Sequence, residues 1–146
     1  MQKKIYIING PNLNLLGSRE PEKYGKTSLK DLETLCFDKC KIHGFELNFF
    51  QSNIEGLLID EIHKAINDGA GIIINAGALT HTSIGILDAL NMFKGPKIEI
   101  HITNVHARES FRHKSYISPV ASGIIAGLGV NSYLLAIEAL QNLIND

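Results

Sequence analysis

Lys3–Gly25 reads KKIYIINGPNLNLLGSREPEKYG. Its opening run, Lys3–Asn9, is mostly apolar and rich in Ile, as expected of a strand buried on both faces of a parallel sheet. From Ile8 to Gly25 the composition turns to Gly, Pro and Asn, with too many breakers for a regular element, which predicts a long loop at a strand end. Long ordered loops in compact domains usually carry function; the plainer alternative is a disordered surface excursion. This one holds three Asn side chains and then Arg19 and Tyr24 on a Gly-bounded segment able to close over a pocket.

The residues after the loop repeat the strand-helix alternation. Ser28 with Asp31 three residues on approximates a capping box, and Leu29, Leu32, Leu35, Cys36 and Cys40 form the apolar stripe of a helix that Gly44 ends. Phe45, Leu47 and Phe49 alternate with Glu46 and Asn48, the pattern of a half-buried strand at a sheet edge. Asn53 is the expected cap of a second helix with Ile54, Leu57, Leu58, Ile62, Ala65 and Ile66 inward and Gly69 as its stop. Gly71–Asn75 is a third strand, again ending on Asn, followed by the loop AGALTHTS, a helix over residues 83–93 and a Gly95-Pro96 break. In the fourth strand, Lys97–Ile102, Ile98, Ile100 and Ile102 face one side while Glu99 and His101 share the other. Residues 103–116 are polar and mixed, with room for a helical turn. Gly123–Ala126 is a short last strand, and Val130–Ile144 a last helix with Leu134, Leu135, Ile137, Ala139, Leu140 and Leu143 inward.

Strands alternating with helices in this way give one α/β unit, a parallel sheet covered on both faces by right-handed crossovers. Residues 1–146 are accordingly read as one domain, a flavodoxin-like three-layer sandwich whose five-stranded parallel sheet has the order 2-1-3-4-5. That order brings the C-terminal ends of the first, third and fourth strands together. Asn9 and Asn12, Asn75, and Glu99 with His101 therefore converge on the edge where open parallel sheets bind ligands.

Composition narrows the partners. The 146 residues carry a formal charge of -1 with Lys and Arg scattered, which leaves no basic field for a nucleic-acid backbone and favours a small polar or anionic ligand. Cys36 and Cys40 fall on one helix face, fitting buried free thiols in a reducing compartment better than a disulfide or metal pair. The first residues enter a strand without the hydrophobic region of a signal peptide, and no apolar run approaches membrane-spanning length, so a cytoplasmic protein is expected.

The convergent residues have definite chemistry. Glu99 beside His101 is the arrangement of a general acid or base with its orienting group, since a neighbouring carboxylate favours the protonated imidazole; a structural His satisfied by a carboxylate is the plain alternative. A phenol is a poor base at neutral pH, but a guanidinium within a few Å favours the phenolate. The spacing of Arg19 and Tyr24 does not by itself establish contact, and a solvated Arg beside a loop aromatic is the commoner case. Asn12 and Asn75 offer donors and acceptors for a water or a hydroxyl, and Arg112 a planar fork for a carboxylate. The nucleophile elbow, the phosphate-binding loop and the dinucleotide fingerprint are all missing. Gly127-Leu128-Gly129 fits close backbone packing better than an anion site, and His101, His106 and His113 lack a zinc spacing.

Taken together, NGPNLNLLGSREPEKYG, NAGALTHTS, EIHITNVHARESFRHKSY and SPVASGIIAGLG closely resemble type II 3-dehydroquinate dehydratase, in order and over essentially the whole chain. The resemblance implies a flavodoxin-like fold and conversion of 3-dehydroquinate to 3-dehydroshikimate, the third step of the shikimate pathway, through an enolate and without metal or organic cofactor. It implies that Tyr24 removes the C2 proton while Arg19, on the same lid, keeps the phenol acidic and stabilises the transition state. Asn12 holds a water against the enolate oxygen, and His101, oriented by Glu99, protonates the departing C1 hydroxyl. Asn75, His81, Arg112 and the backbone of Ile102 and Thr103 hold the carboxylate and hydroxyls. Asp88 matches a position that reaches a neighbouring subunit's site in a dodecamer built from trimers. Leu79 and Leu87 depart from the commoner family residues, Tyr and a basic side chain. The competing class is a non-enzymatic flavodoxin-like receiver or nucleotide-binding module. A receiver requires acidic residues at the end of the first strand, where Asn9 and Asn12 stand, and a nucleotide binder requires a phosphate-cradling loop, where Pro11 and bulky Leu residues stand.

Overall fold

The Ile-rich opening run forms strand β1 (Lys3–Asn9) in the computed structural model, which describes residues 2–145. The elements that follow are α1 (Pro21–Tyr24), α2 (Leu29–Ile42), β2 (Phe45–Gln51), α3 (Glu55–Asp68), β3 (Gly69–Asn75), α4 (Ile84–Met92), β4 (Lys97–His101), β5 (Gly123–Ala126) and α5 (Asn131–Asn145), with short 3-10 turns between them. The strands form a five-stranded sheet of order β2-β1-β3-β4-β5 in which each neighbouring pair is parallel. This is the expected flavodoxin-like sandwich, with half-buried β2 at one edge and short β5 at the other.

Strand alternation divides the core into two layers. Ile5, Ile7, Ile73, Ile98 and Ile100 pack with Leu32, Cys36 and Cys40 of α2 and Ala136, Ile137 and Leu140 of α5. Tyr6, Ile8, Ile72 and Ile74 pack on the other face with Leu58, Ile62 and Ala65 of α3 and Ile86, Ala89 and Leu90 of α4. Both cysteines are free and fully buried, and burial pushes each thiol up to about 12, so they act as small core hydrophobes.

Two kinds of expectation need correction. Asn53 does not cap α3. The cap position is Ile54, whose N–H is taken by Ser52 Oγ at 2.9 Å, and Asn53 Oδ1 instead accepts the backbone N–H of Asn12 at 2.9 Å. The apolar stripes are also wider than the buried faces: Leu35, Ile54, Leu57, Ile66, Leu135 and Leu143 are exposed. The Ser28 cap of α2 is formed as read, with its side chain accepting the N–H of Asp31.

Backbone constraints at the strand ends shape what lies above them. A Cβ at Gly10 would come within 2.6 Å of the Ala76 carbonyl carbon, so β1 and β3 approach this closely only with glycine there. Asn12 then turns the chain at φ 72°, in the left-handed region that Asn tolerates better than most residues.

Candidate active site

The C-terminal ends of β1, β3 and β4 open into a cleft of about 210 Å³, the scale of a one-ring metabolite rather than a nucleotide. Asn12, Arg19, Tyr24, Asn75, His81, His101, Ile102, Thr103 and Arg112 all line it, so most of the residues picked out from sequence meet here from separate segments. Asp88 stands apart, exposed on α4 and outside this lining, while Glu99 lies immediately behind His101.

Strand periodicity explains the Glu99–His101 pair. Residues two apart on β4 point to the same face, and His101 Nε2 lies 2.6 Å from Glu99 Oε2, with both side chains buried. The carboxylate sits in a cradle of hydroxyls that was not foreseen. Thr80 Oγ1 donates to Oε2 at 2.7 Å, Ser115 Oγ donates to Oε2 at 2.8 Å, and Ser118 Oγ donates to Oε1. Burial alone pushes the Glu99 carboxyl up, but hydrogen bonds from His101 and Ser118, the His101 charge and Thr80 outweigh it and hold the group at about 2. An ionised carboxylate only accepts, so Nε2 of His101 carries a proton toward it and Nδ1 is left for a ligand. His81 is fixed by the same logic: its Nδ1 lies 2.7 Å from the Lys114 carbonyl, which can only accept, leaving Nε2 for the cleft.

The loop after β1 divides in two. Residues 9–16 form a floor: Leu13 and Leu16 are buried, and the Gly10 N–H donates to the Asn75 carbonyl at 2.8 Å. Residues 17–25 form a lid that buries no residue in its α1 turn and holds Glu20 at φ 40°, a strained conformation for a residue with a Cβ. Arg19 does meet Tyr24, its guanidinium carbon 4.9 Å from the ring centroid. The hydrogen bond to the phenol comes from elsewhere. Arg108 Nη1 donates to Tyr24 Oη at 3.0 Å and to Thr103 Oγ1 at 3.2 Å, and Arg108 lines the cleft. Sequence reasoning passed over Arg108, although its place just beyond β4, four residues before Arg112, was the available signal. Arg108 Nε is buried without a partner, so this guanidinium has a donor in reserve. Arg112, the fork expected for a carboxylate, is paired through Nε with Glu109 at the cleft rim.

The site thus contains a phenol held by a guanidinium, an imidazole tied to an ionised carboxylate, and several amide and guanidinium donors. That set suits proton removal at one atom and proton delivery at another. Among the described residues no three His, Cys, Asp or Glu side chains gather as a metal-ligating group, and no helix is long and apolar enough to cross a membrane.

Comparison with known proteins agrees with this geometry. Residues 3–141 match the family model described as dehydroquinase class II. A 3-dehydroquinate dehydratase of Cereibacter sphaeroides is 54% identical over 143 residues, covering 98% of this chain and 97% of that protein. A catabolic 3-dehydroquinase of Meyerozyma guilliermondii is 59% identical over 145 residues, covering 97% of this chain and 99% of that one. The crystal structure of type II dehydroquinase from Propionibacterium acnes superposes with a TM-score of 0.94 at 41% identity, covering 97% of this chain and 98% of that chain. A family match spanning nearly the whole sequence, with relatives more than half identical along almost their full length, makes this chain a member of the type II dehydroquinase family.

Proposed function

We propose that this protein is a hydro-lyase that dehydrates 3-dehydroquinate to 3-dehydroshikimate, acting in the shikimate pathway as one catalytic domain without a cofactor. Relatives of this identity and coverage carry that name, and the cleft offers both proton transfers the reaction needs. The roles are assigned as follows. The Tyr24 phenolate takes the C2 proton, with the Arg108 guanidinium hydrogen-bonded to its oxygen and that of Arg19 over its ring. The electrons of the broken C–H bond move onto the ketone oxygen as an enolate, which a water held by Asn12 hydrogen-bonds as charge develops. Collapse of the enolate forms the C1–C2 double bond and expels the C1 hydroxyl, which receives a proton from His101 and leaves as water. The proton gained by Tyr24 balances the one given by His101, and its return through solvent resets the site. Asn75, His81, Arg112 and the backbone at Ile102 and Thr103 hold the carboxylate and hydroxyls.

The observation that carries this reading is the pairing within one cleft of a guanidinium-bonded phenol with a carboxylate-bonded imidazole. The test is to give chelator-treated protein 3-dehydroquinate and follow the ultraviolet absorbance of the conjugated enone. Absorbance should rise, and borohydride added with substrate should leave activity intact because no lysine imine forms. No rise in absorbance defeats the proposal.

Assembly and location belong to the same proposal: a cytoplasmic dodecamer built from trimers, with Asp88 serving a neighbouring subunit's site. The exposed apolar side chains Ile54, Leu57, Ile84 and Met92 around α3 and α4, and Ile124, Leu135 and Leu143 around β5 and α5, support subunit contacts. Sedimentation at the monomer mass would refute the assembly.

A further inference from the structure

We infer that Tyr133 and Asn9, neither of which lines the cleft, are positioning residues that lock the side-chain amide of Asn75 in one orientation, so that a ligand always meets Nδ2 as the donor and Oδ1 as the acceptor at fixed places. The inference rests on the reading that Asn75 meets the substrate, and adds which atom it presents. A polar chain runs through the apolar layer beneath the cleft: Asn9 and Tyr133 are fully buried and Asn75 is 3% exposed. Alternation along β1 and β3 aims Asn9 and Asn75 at the layer covered by α5, where Tyr133 projects between them.

The ends of this chain are backbone groups that act in only one sense, and they fix every link between. The Phe50 carbonyl can only accept, so Asn9 turns its Nδ2 toward it, at 3.0 Å. Asn9 Oδ1 then faces the Tyr133 hydroxyl, which donates to it at 2.6 Å. With its proton so committed, the Tyr133 oxygen accepts from Asn75 Nδ2 at 2.9 Å. At the far end, the Gly77 N–H can only donate, and Asn75 Oδ1 takes it at 3.2 Å. Flipping either amide would set donor against donor at one end or acceptor against acceptor at the other. Burial holds the Tyr133 phenol far above its ordinary range, so its proton stays in place and the polarity of the chain does not change with pH in the working range.

Two of the four hydrogen-bonding sites of the Asn75 side chain are thus assigned, and two are left over. Oδ1 accepts once and Nδ2 donates once inside the protein; the second N–H on Nδ2 and the second lone pair on Oδ1 remain on a residue that lines the cleft, each at a place the chain of hydrogen bonds fixes. A ligand atom at Nδ2 is therefore an acceptor, and one at Oδ1 a donor. A rotatable amide would exchange the places of Nδ2 and Oδ1 and so bind the ligand in more than one orientation; the locked amide does not.

The test is a double-mutant cycle on the full-length enzyme with 3-dehydroquinate, using Tyr133→Phe, Asn75→Ala and the pair. Tyr133→Phe should raise KM roughly three- to thirtyfold, the loss of one neutral hydrogen bond plus freedom of the amide, while kcat stays within about threefold. Added to Asn75→Ala, it should change KM by less than about twofold, because nothing remains to be positioned. Unaltered KM in Tyr133→Phe, or the same KM increase in both backgrounds, overturns the inference; a merely structural Tyr133 would lower the melting temperature and leave both constants alone. Should Tyr133→Phe fail to fold, Asn9→Ala takes its place in the same cycle, with the same expected dependence on Asn75. Wild-type enzyme that leaves 3-dehydroquinate unchanged would instead defeat the substrate assignment, so the two failures are distinguishable.

Discussion

Replacing Glu99 by Gln keeps the shape of the side chain and removes its charge, which makes it the sharpest probe of the buried cradle. The carboxylate accepts from Thr80, Ser115, Ser118 and His101, and an amide nitrogen placed among them accepts from none and forces the hydroxyls beside it to turn their protons away. In the native enzyme the folded state holds Glu99 near 2 against an ordinary value of 4.5. At 1.36 kcal/mol for each tenfold step in acidity, that preference is worth about 3 kcal/mol. Because the folded value is depressed, this contribution is fully present above about pH 5 and is lost as pH falls toward 2. Urea unfolding from pH 6 down to pH 2.5 should therefore find Glu99→Gln less stable by about 3 kcal/mol at the upper end, with the gap to wild type closing as the solution is acidified. A gap that is constant across the range would refute the reasoning. Turnover at neutral pH should fall by about a hundredfold or more, since His101 loses the carboxylate that orients it.

The lid and floor yield further outcomes. His101→Ala should lower kcat far more than substrate affinity, and full retention of kcat would remove it as the acid. Gly10→Ala should destabilise the fold by about 2 kcal/mol or more, because the new methyl meets the Ala76 backbone rather than a flexible side chain; an unchanged melting temperature would show that β1 and β3 separate freely. Residues 17–25 bury little, so their amides should exchange rapidly in the free enzyme and slow when a substrate analogue binds; equal exchange in both states would argue against a closing lid.

The sheet could be read from sequence because its strands are short Ile-rich runs ended by Asn or Gly, and a strand pattern buried on both faces has few rivals. The Glu99–His101 contact followed from a period of two along one strand. Helix faces were less transparent. Leu57 and Ile66 share the helical spacing of Leu58 and Ile62, yet the sheet covers only part of that stripe, and periodicity does not say where cover ends. The cap of α3 was misplaced by one residue because Ser52 and Asn53 are both good cap residues, and only the turn of β1 onto Asn12 decides that Asn53 is otherwise engaged. Arg108, the hydroxyls around Glu99 and the Tyr133 chain were missed for one physical reason. Each acts on a residue distant in sequence, through a contact made only when the chain from β4 to α5 has folded against β1, β3 and the segments that follow them.

In the proposed mechanism Tyr24 is the base of a cofactor-free dehydration, and the decisive comparison is Tyr24→Phe against wild type on 3-dehydroquinate. Phe fills the same space under Arg19 and Arg108 but has no oxygen to take the C2 proton. The account predicts loss of most turnover, about a hundredfold or more in kcat, with affinity for a substrate analogue within severalfold of wild type. Near-normal turnover in that variant would contradict it.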